Sequence, residues 1–152
     1  MIDLFAELRL IVGALDADDI DYALCGGVAL AIHGIPRATL DVDLLVRVAE
    51  VDRARRALDS LGYRLTGADM NFAGGAVIIS RLVKPDPDSE DALIVDLLHA
   101  TRPLEQVWDG RQRLPWEHGS ISTVSRDGLI ALKRLRGSGQ DQDDINKLRS
   151  VT

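Results

Sequence analysis

A small α/β or α+β domain, with a mixed β-sheet flanked by helices, is predicted by two features of the sequence. Segments with apolar residues at helical spacing alternate with short apolar segments typical of strands. The chain also has the size and composition of one globular domain, with 152 residues, 46% apolar and 28% charged. We therefore expect a single domain over residues 1–152, with C-terminal helices at about 125–150 packed on it.

The first 65 residues alternate between predicted helices and strands. Leu4, Leu8, Ile11 and Leu15 fall on one face of a helix, which makes this segment amphipathic. A short apolar strand then ends at a pair of glycines, Gly26-Gly27. The elements expected after the first helix are a strand at 22–25, a short helix at 28–32, a strand at 41–48, a helix at 50–61 and a short strand at 63–65.

The rest of the chain predicts two more strong strands before two C-terminal helices. The strand at 92–98 is almost continuously apolar, which indicates burial on both faces, and Asp96 is its one charged residue. Ser125 can cap the helix at 125–136 through its hydroxyl, with Asp127 in the first turn. The remaining elements expected here are a strand at 76–83, a polar loop at 85–91, a helical turn at 103–108, a strand at 121–124 and a last helix at 141–149.

Charge and composition narrow the classes of function. The net charge of −6 disfavours a general nucleic-acid binder, although a local basic patch stays possible. Cys25 is the one cysteine, so the chain forms no internal disulfide. The first residues carry acids where a signal peptide carries basic residues, and no apolar run approaches the roughly 20 residues that span a bilayer. We expect a cytoplasmic protein with no membrane partner.

Asp41-Val42-Asp43 is the most informative segment of the chain. In a strand the two carboxylates would point to the same face, because side chains alternate with a period of two. Neighbouring carboxylates repel each other and resist burial, and a cation with a preference for oxygen ligands, such as Mg²⁺, removes both penalties. Asp96, in a later apolar strand, is a candidate third acid. The alternative is that these aspartates form ordinary buried ion pairs with arginines.

The glycine pair Gly26-Gly27 is a candidate phosphate-binding turn. It joins a strand to a short helix, where exposed N–H groups attract phosphate and glycine allows a ligand to approach closely. The alternative is a tight strand-to-helix turn, and the Walker A pattern is absent. Arg37 and Thr39 would share a face with the aspartate pair if the chain is already extended there, and arginine suits phosphate. Phosphates beside a carboxylate metal site are typical of phosphoryl or nucleotidyl transfer.

Two sequence blocks carry a resemblance to a known superfamily. The run from Gly26-Gly27 to Gly34, followed by Arg37-Ala38-Thr39-Leu40-Asp41-Val42-Asp43, resembles the signature of the DNA polymerase β-type nucleotidyltransferases. The branch most similar is that of small bacterial proteins related to AbiEii-type toxins and minimal nucleotidyltransferases. A looser match, which extends from Lys133 to Asp141 and Asp144, resembles a C-terminal pattern of that branch. Gln140 stands where relatives often carry an arginine.

The resemblance implies a fold, an activity and a set of site residues. The fold would be that of a nucleotidyltransferase, and the activity the Mg²⁺-dependent transfer of NMP from an NTP to an acceptor hydroxyl. It assigns Mg²⁺ (or Mn²⁺) to Asp41, Asp43 and Asp96, the nucleotide phosphates to Gly26 and Gly27, and the triphosphate or the acceptor to Lys133. The acceptor would be a protein, a tRNA or a small molecule, and an antitoxin would be a plausible partner. The alternative is a catalytically silent module that binds a nucleotide or a partner on the same fold.

Overall fold

The computed structural model of the protein describes residues 3–35, 41–136 and 139–150. Its helices and strands are α1 (Leu4–Ala17), β1 (Ala23–Cys25), α2 (Gly26–Ile32), β2 (Asp41–Arg47), α3 (Val51–Asp59), β3 (Arg64–Leu65), β4 (Met70–Phe72), β5 (Val77–Pro85), β6 (Ala92–Ala100), α4 (Glu105–Asp109), β7 (Gln112–Trp116), β8 (Gly119–Thr123), α5 (Arg126–Arg136) and α6 (Gly139–Ser150). Three short 3₁₀ turns occupy Val48–Glu50, Ala73–Gly75 and Arg102–Leu104. The predicted class, a mixed sheet flanked by helices, is confirmed.

The strands form one mixed sheet with β6, β2 and β1 at its centre. Its order is β3-β5-β6-β2-β1-β8-β7, and β4 pairs with β5 beside β3. The pairs β2/β6 and β1/β8 are parallel, and the other pairs are antiparallel. Residues 41–47 of β2 stand opposite 94–100 of β6, so Asp43 lies beside Asp96. The central register therefore brings together two acids that are far apart in the sequence.

Strand β2 separates a core face from a cleft face. Val42, Leu44 and Val46 are completely buried, whereas the alternate residues Asp41 and Asp43 are partly buried. Helix α3 contacts β2, and α1 contacts α3. The continuous apolar run of β6 is buried on both faces, as expected, and Asp96 is buried with it. The aliphatic core thus fixes the backbone that carries the acids.

Two strands were missed in the sequence analysis, the short β4 and the longer β7. The residues of β7, Gln112-Arg113-Leu114-Pro115-Trp116, have little apolar alternation and include a proline, which lacks a backbone N–H. Among the described strands β7 pairs with β8 alone, and an edge strand tolerates a proline whose missing donor faces away from its neighbour. Pairing with β8 therefore makes this segment a strand, although its own residues have a low strand propensity.

Helices α5 and α6 pack on the sheet domain through apolar side chains. The Ser125 hydroxyl accepts a hydrogen bond from the Gly128 backbone N–H at 3.1 Å, which confirms the predicted cap. Leu129 of α5 and Ile145 and Leu148 of α6 belong to the buried core. Helix α6 begins at Gly139, two residues before the predicted start. None of the helices in the described part of the chain is long and apolar enough to cross a membrane.

Candidate active site

Four residues form a row across the centre of the sheet. Cys25 of β1 stands opposite Asp43 of β2, Asp43 opposite Asp96 of β6, and Asp96 opposite Arg81 of β5. Asp41 lies two residues before Asp43, on the same face. All five residues line one cleft of about 320 Å³. The structure therefore places the three aspartates singled out in the sequence in one cavity.

The backbone at Gly26 crosses directly over the carboxylate of Asp43. Gly26 has φ +66°, a backbone conformation that residues other than glycine rarely adopt. In addition, a Cβ added at Gly26 would lie 1.9 Å from Oδ2 of Asp43. Glycine is therefore required at this position by two independent constraints. Gly26 lines the cleft, whereas Gly27 lies in the first turn of α2 and is not among the described residues that line it.

Arg81 forms a bidentate ion pair with Asp96 through two hydrogen bonds. Its Nε donates to Oδ1 at 2.9 Å, and its Nη2 donates to Oδ2 at 2.9 Å. The hydrogen bonds with Asp96 raise the pKa of Arg81, and the nearby charges of Asp41 and Asp43 raise it further. The alternative named in the sequence analysis, an ordinary ion pair between aspartate and arginine, is therefore present at Asp96. Arg81 was not singled out in the sequence analysis, although a charged residue within the apolar strand predicted at 76–83 could have drawn attention to it.

The carboxylates suit a metal ion held by two protein ligands rather than three. No cluster of three His, Cys, Asp or Glu side chains able to hold a metal occurs among residues 3–35, 41–136 and 139–150. Arg81 engages both oxygens of Asp96, whereas Asp41 and Asp43 sit side by side on the cleft face of β2. Proteins commonly hold Mg²⁺ with one or two carboxylates, and substrate phosphates and waters complete the octahedron. Asp41 and Asp43 fit that pattern, and Asp96 as a third ligand stays a prediction.

Lys133 lines the cleft from α5. It is only 7% exposed, so it is not an ordinary surface lysine of a helix. Its Nζ lies 3.3 Å from Oδ2 of Asp144, a completely buried residue of α6. Lys133 and the carboxylates of Asp43 and Asp96 all act on Cys25, whose thiol pKa is raised well above its ordinary value, mainly by burial. Lys133 therefore lies near the Cys25 end of the row, with Asp144 as its ion-pair partner.

Some sequence predictions fall outside the described residues. Arg37 and Thr39 belong to the segment 36–40, which the structure does not describe, and their phosphate contacts stay predictions. The side chain of Asp141 is likewise outside the described part, although its backbone belongs to α6. Asp144 is described, and its ion pair with Lys133 joins α6 to α5.

We expect Asp144→Ala to lower the free energy of unfolding by about 3 kcal/mol. The substitution removes a buried carboxylate that neutralises the ammonium group of Lys133, and breaking a buried pair from one side is costly. Urea unfolding of the wild type and the variant measures the difference. Asp143→Ala is the matched control, because Asp143 precedes Asp144 in α6 and is exposed. Equal losses in the two variants would contradict a structural role for the pair.

Comparisons with known proteins identify the fold. The chain matches no protein-family model and no curated protein sequence. It does match solved structures of nucleotidyltransferases over nearly its whole length. The lincosamide antibiotic adenylyltransferase LnuA, bound to lincomycin, has a TM-score of 0.63 at 17% identity, and the match covers 97% of both chains.

Two further structures agree with the match to LnuA. ANT(2'')-Ia in complex with adenylyl-2''-tobramycin has a TM-score of 0.64 at 11% identity, over 94% of this chain and 86% of that one. A Thermotoga maritima protein assigned as a nucleotidyltransferase has a TM-score of 0.63 at 12% identity, over 94% and 92%. The chain therefore has the nucleotidyltransferase fold. At these identities the likeness extends to the fold, and the role of each residue depends on the geometry described above.

Proposed function

We propose that this protein is a Mg²⁺-dependent nucleotidyltransferase that moves NMP from an NTP to an acceptor hydroxyl. One observation carries the proposal: Asp41, Asp43 and Asp96 line a single cleft beside a glycine turn, on a nucleotidyltransferase fold. Burying several carboxylates in an aliphatic sheet is unfavourable unless a cation or hydrogen bonds compensate. LnuA is an antibiotic adenylyltransferase, and ANT(2'')-Ia was solved with an adenylylated tobramycin, so NMP transfer is known on this fold.

In the proposed reaction, Asp41 and Asp43 hold the metal ion and Asp96 faces the acceptor. When bound, Mg²⁺ (or Mn²⁺) would neutralise charge on the triphosphate. The acceptor oxygen forms a bond to the α-phosphorus, and the bond from that phosphorus to pyrophosphate breaks. Each oxygen of a carboxylate has two lone pairs, so Asp96 can accept the acceptor hydroxyl proton while it stays paired with Arg81. Gly26, Gly27, Arg37, Thr39 and Lys133 are the proposed contacts of the triphosphate.

The biological role of the protein depends on which acceptor it uses. With a protein or tRNA acceptor, the chain would act as a toxin of the AbiEii-like branch, controlled by an antitoxin partner. With a small-molecule acceptor it would modify a metabolite or a drug. A catalytically silent module that binds nucleotide or partner is the competing function, and the Arg81–Asp96 pair favours it, because that pair satisfies Asp96 without a ligand.

Thermal unfolding with ligands separates these functions. A ligand that binds the native state alone raises the melting temperature in proportion to the logarithm of its concentration. We expect each NTP with Mg²⁺ to raise the melting temperature more than Mg²⁺ or NTP alone. Transfer of α-labelled NMP to a component of a cell extract then distinguishes the enzyme from a silent binder. A domain with merely structural Asp–Arg pairs would show no melting shift with any combination.

Arg81→Gln is expected to strengthen Mg²⁺ binding to the nucleotide-free protein about fivefold. The guanidinium is a positive charge facing Asp41 and Asp43, and its removal favours another cation. The Arg81 side chain is 40% exposed, so solvent screening limits the effect to about 1 kcal/mol. Calorimetric titration with Mg²⁺ measures the change. Arg64→Gln is the control, because Arg64 is an exposed arginine of β3 paired with Asp59. Unchanged or weaker binding in Arg81→Gln would argue against a metal site at the aspartate pair.

A further inference from the structure

One end of the cleft is lined by apolar side chains. Phe72, Val77, Ile79 and Leu98, from β4, β5 and β6, line the cavity together with Arg81 and Asp96, and we call these four residues the apolar wall. Leu132 and Leu135 of α5 line the same cavity. Phe72 is 49% exposed, so much of its ring faces solvent. Such exposure of a large aromatic side chain within a cleft is typical of a ligand contact.

The cleft has one cation towards each end, and an aspartate engages each of them. Lys133 lies near Cys25 at one end of the row and pairs with Asp144, and Arg81 lies at the other end, where both oxygens of Asp96 engage it. A triphosphate carries several negative charges, and their burial against the apolar wall would be strongly unfavourable. If the proposed function is correct, the triphosphate therefore lies towards Gly26 and Lys133.

This placement fixes the direction from which the acceptor arrives. In phosphoryl and nucleotidyl transfer the attacking and leaving oxygens are roughly in line through the phosphorus. With pyrophosphate leaving towards Lys133, the attacking hydroxyl comes from the side of Asp96, Arg81 and the apolar wall. The acceptor oxygen bonds to the α-phosphorus, its proton passes to Asp96, and pyrophosphate leaves with the electron pair of the broken bond.

We infer that the acceptor is a small molecule that carries its reactive hydroxyl on an apolar body, and that this body packs against the apolar wall. The inference rests on the proposed function and adds the class of acceptor. A polycationic acceptor would need acidic groups at this end, but Arg81 already neutralises Asp96. An RNA acceptor would need several cations for its phosphates, and among the described residues lining this end Arg81 is the one cation.

A pair of glucosides tests the inference directly. Methyl β-glucoside and phenyl β-glucoside carry the same hydroxyl groups and differ in their apolar portion. We expect the phenyl compound to be the better acceptor by about tenfold in kcat/KM with Mg²⁺ and α-labelled NTP, since that is the expected gain from burying one face of a ring. The phenyl compound should also raise the melting temperature more than the methyl compound, in the presence of Mg²⁺ and a non-transferable NTP analogue.

Two phenylalanine variants provide the matched comparison. Phe72→Ala should reduce the phenyl-to-methyl ratio to about twofold and leave the affinity for the NTP analogue unchanged. Phe5→Ala removes an equally exposed ring, 53% exposed on α1 and not part of the cleft, and should keep the wild-type ratio. Measuring the affinity for the analogue in both variants separates contact with the acceptor from contact with the nucleotide.

Other outcomes of the same experiments would overturn the inference or assign the apolar wall to a different ligand. Equal melting shifts with the two glucosides, or faster labelling of kanamycin or tRNA than of phenyl β-glucoside, would overturn the inference. Weaker binding of the NTP analogue by Phe72→Ala, with the glucoside ratio intact, would assign the apolar wall to the nucleotide instead. Failure of the proposed function has a different signature: the wild type would then show either no melting shift with Mg²⁺ and NTP, or a melting shift without transfer of the α-label to any acceptor.

Discussion

Asp43→Asn is expected to lower the rate of nucleotide transfer about a thousandfold, which corresponds to about 4 kcal/mol of transition-state stabilisation. Asp43 is the centre of the row, with Asp96 beside it and the Gly26 backbone above it. Asparagine has nearly the same shape but lacks the charge that binds a hard divalent cation. Because the substitution also relieves repulsion among the acids, we expect the melting temperature to change by only a few degrees. Transfer of label from α-labelled NTP measures the rate.

The control for this substitution is an aspartate of the same chain without a role in the cleft. Asp52 is exposed on α3 and pairs with Arg55. Asp52→Asn should leave the transfer rate within twofold of the wild type. A transfer rate for Asp43→Asn within tenfold of the wild type, with the fold intact, would remove Asp43 from the proposed metal site.

Gly26→Ala is expected to lower the free energy of unfolding by about 3 kcal/mol and the transfer rate about a hundredfold. A side chain at φ +66° costs about 1–2 kcal/mol, and the added Cβ would also collide with the Asp43 carboxylate at 1.9 Å. Relief of the collision must displace Asp43, and an error of about 1 Å in a reacting site can cost about a hundredfold. Urea unfolding and the labelled-transfer assay measure the two effects.

Two other glycines separate strain from collision. Gly74 has almost the same φ, +65°, but nothing lies within 4 Å of its added Cβ, so Gly74→Ala should cost only about 1 kcal/mol. Gly13 lies in α1 with open space around it, and Gly13→Ala should stabilise the protein by up to about 1 kcal/mol without loss of transfer. If Gly26→Ala were as mild as Gly74→Ala and fully active, the close approach to Asp43 would be unimportant.

The backbone elements that carry the acids could be predicted because their sequence patterns are strong. The apolar runs around Asp43 and Asp96 define two central strands, and Ser125 marks the start of α5 through its cap. Strand β7 could not be predicted, because its stability comes from pairing with β8 and its own residues, among them Pro115, disfavour a strand. Propensity is a weak guide wherever a hairpin partner supplies the hydrogen bonds.

For the site, residue type and spacing identified the acids but not their partners. The alternation of a strand predicted that Asp41 and Asp43 share a face, yet register alone sets Asp96 beside Asp43 and Arg81 beside Asp96. The bidentate pair depends on the register of β5 against β6, which the predicted strands and the loop between them leave open. Likewise, the burial of Lys133 depends on the packing of α6 and its Asp144.

The most direct test of the proposed chemistry is the fate of the two ends of the same NTP. Incubation of the protein with Mg²⁺, an acceptor and NTP labelled at either the α- or the γ-phosphate distinguishes nucleotidyl transfer from every other use of the nucleotide. We predict that the α-label joins the acceptor, that the γ-label is released as pyrophosphate, and that both events vanish together in Asp43→Asn. Release of the γ-label as inorganic phosphate, or transfer of the γ-label to the acceptor, would contradict a nucleotidyltransferase.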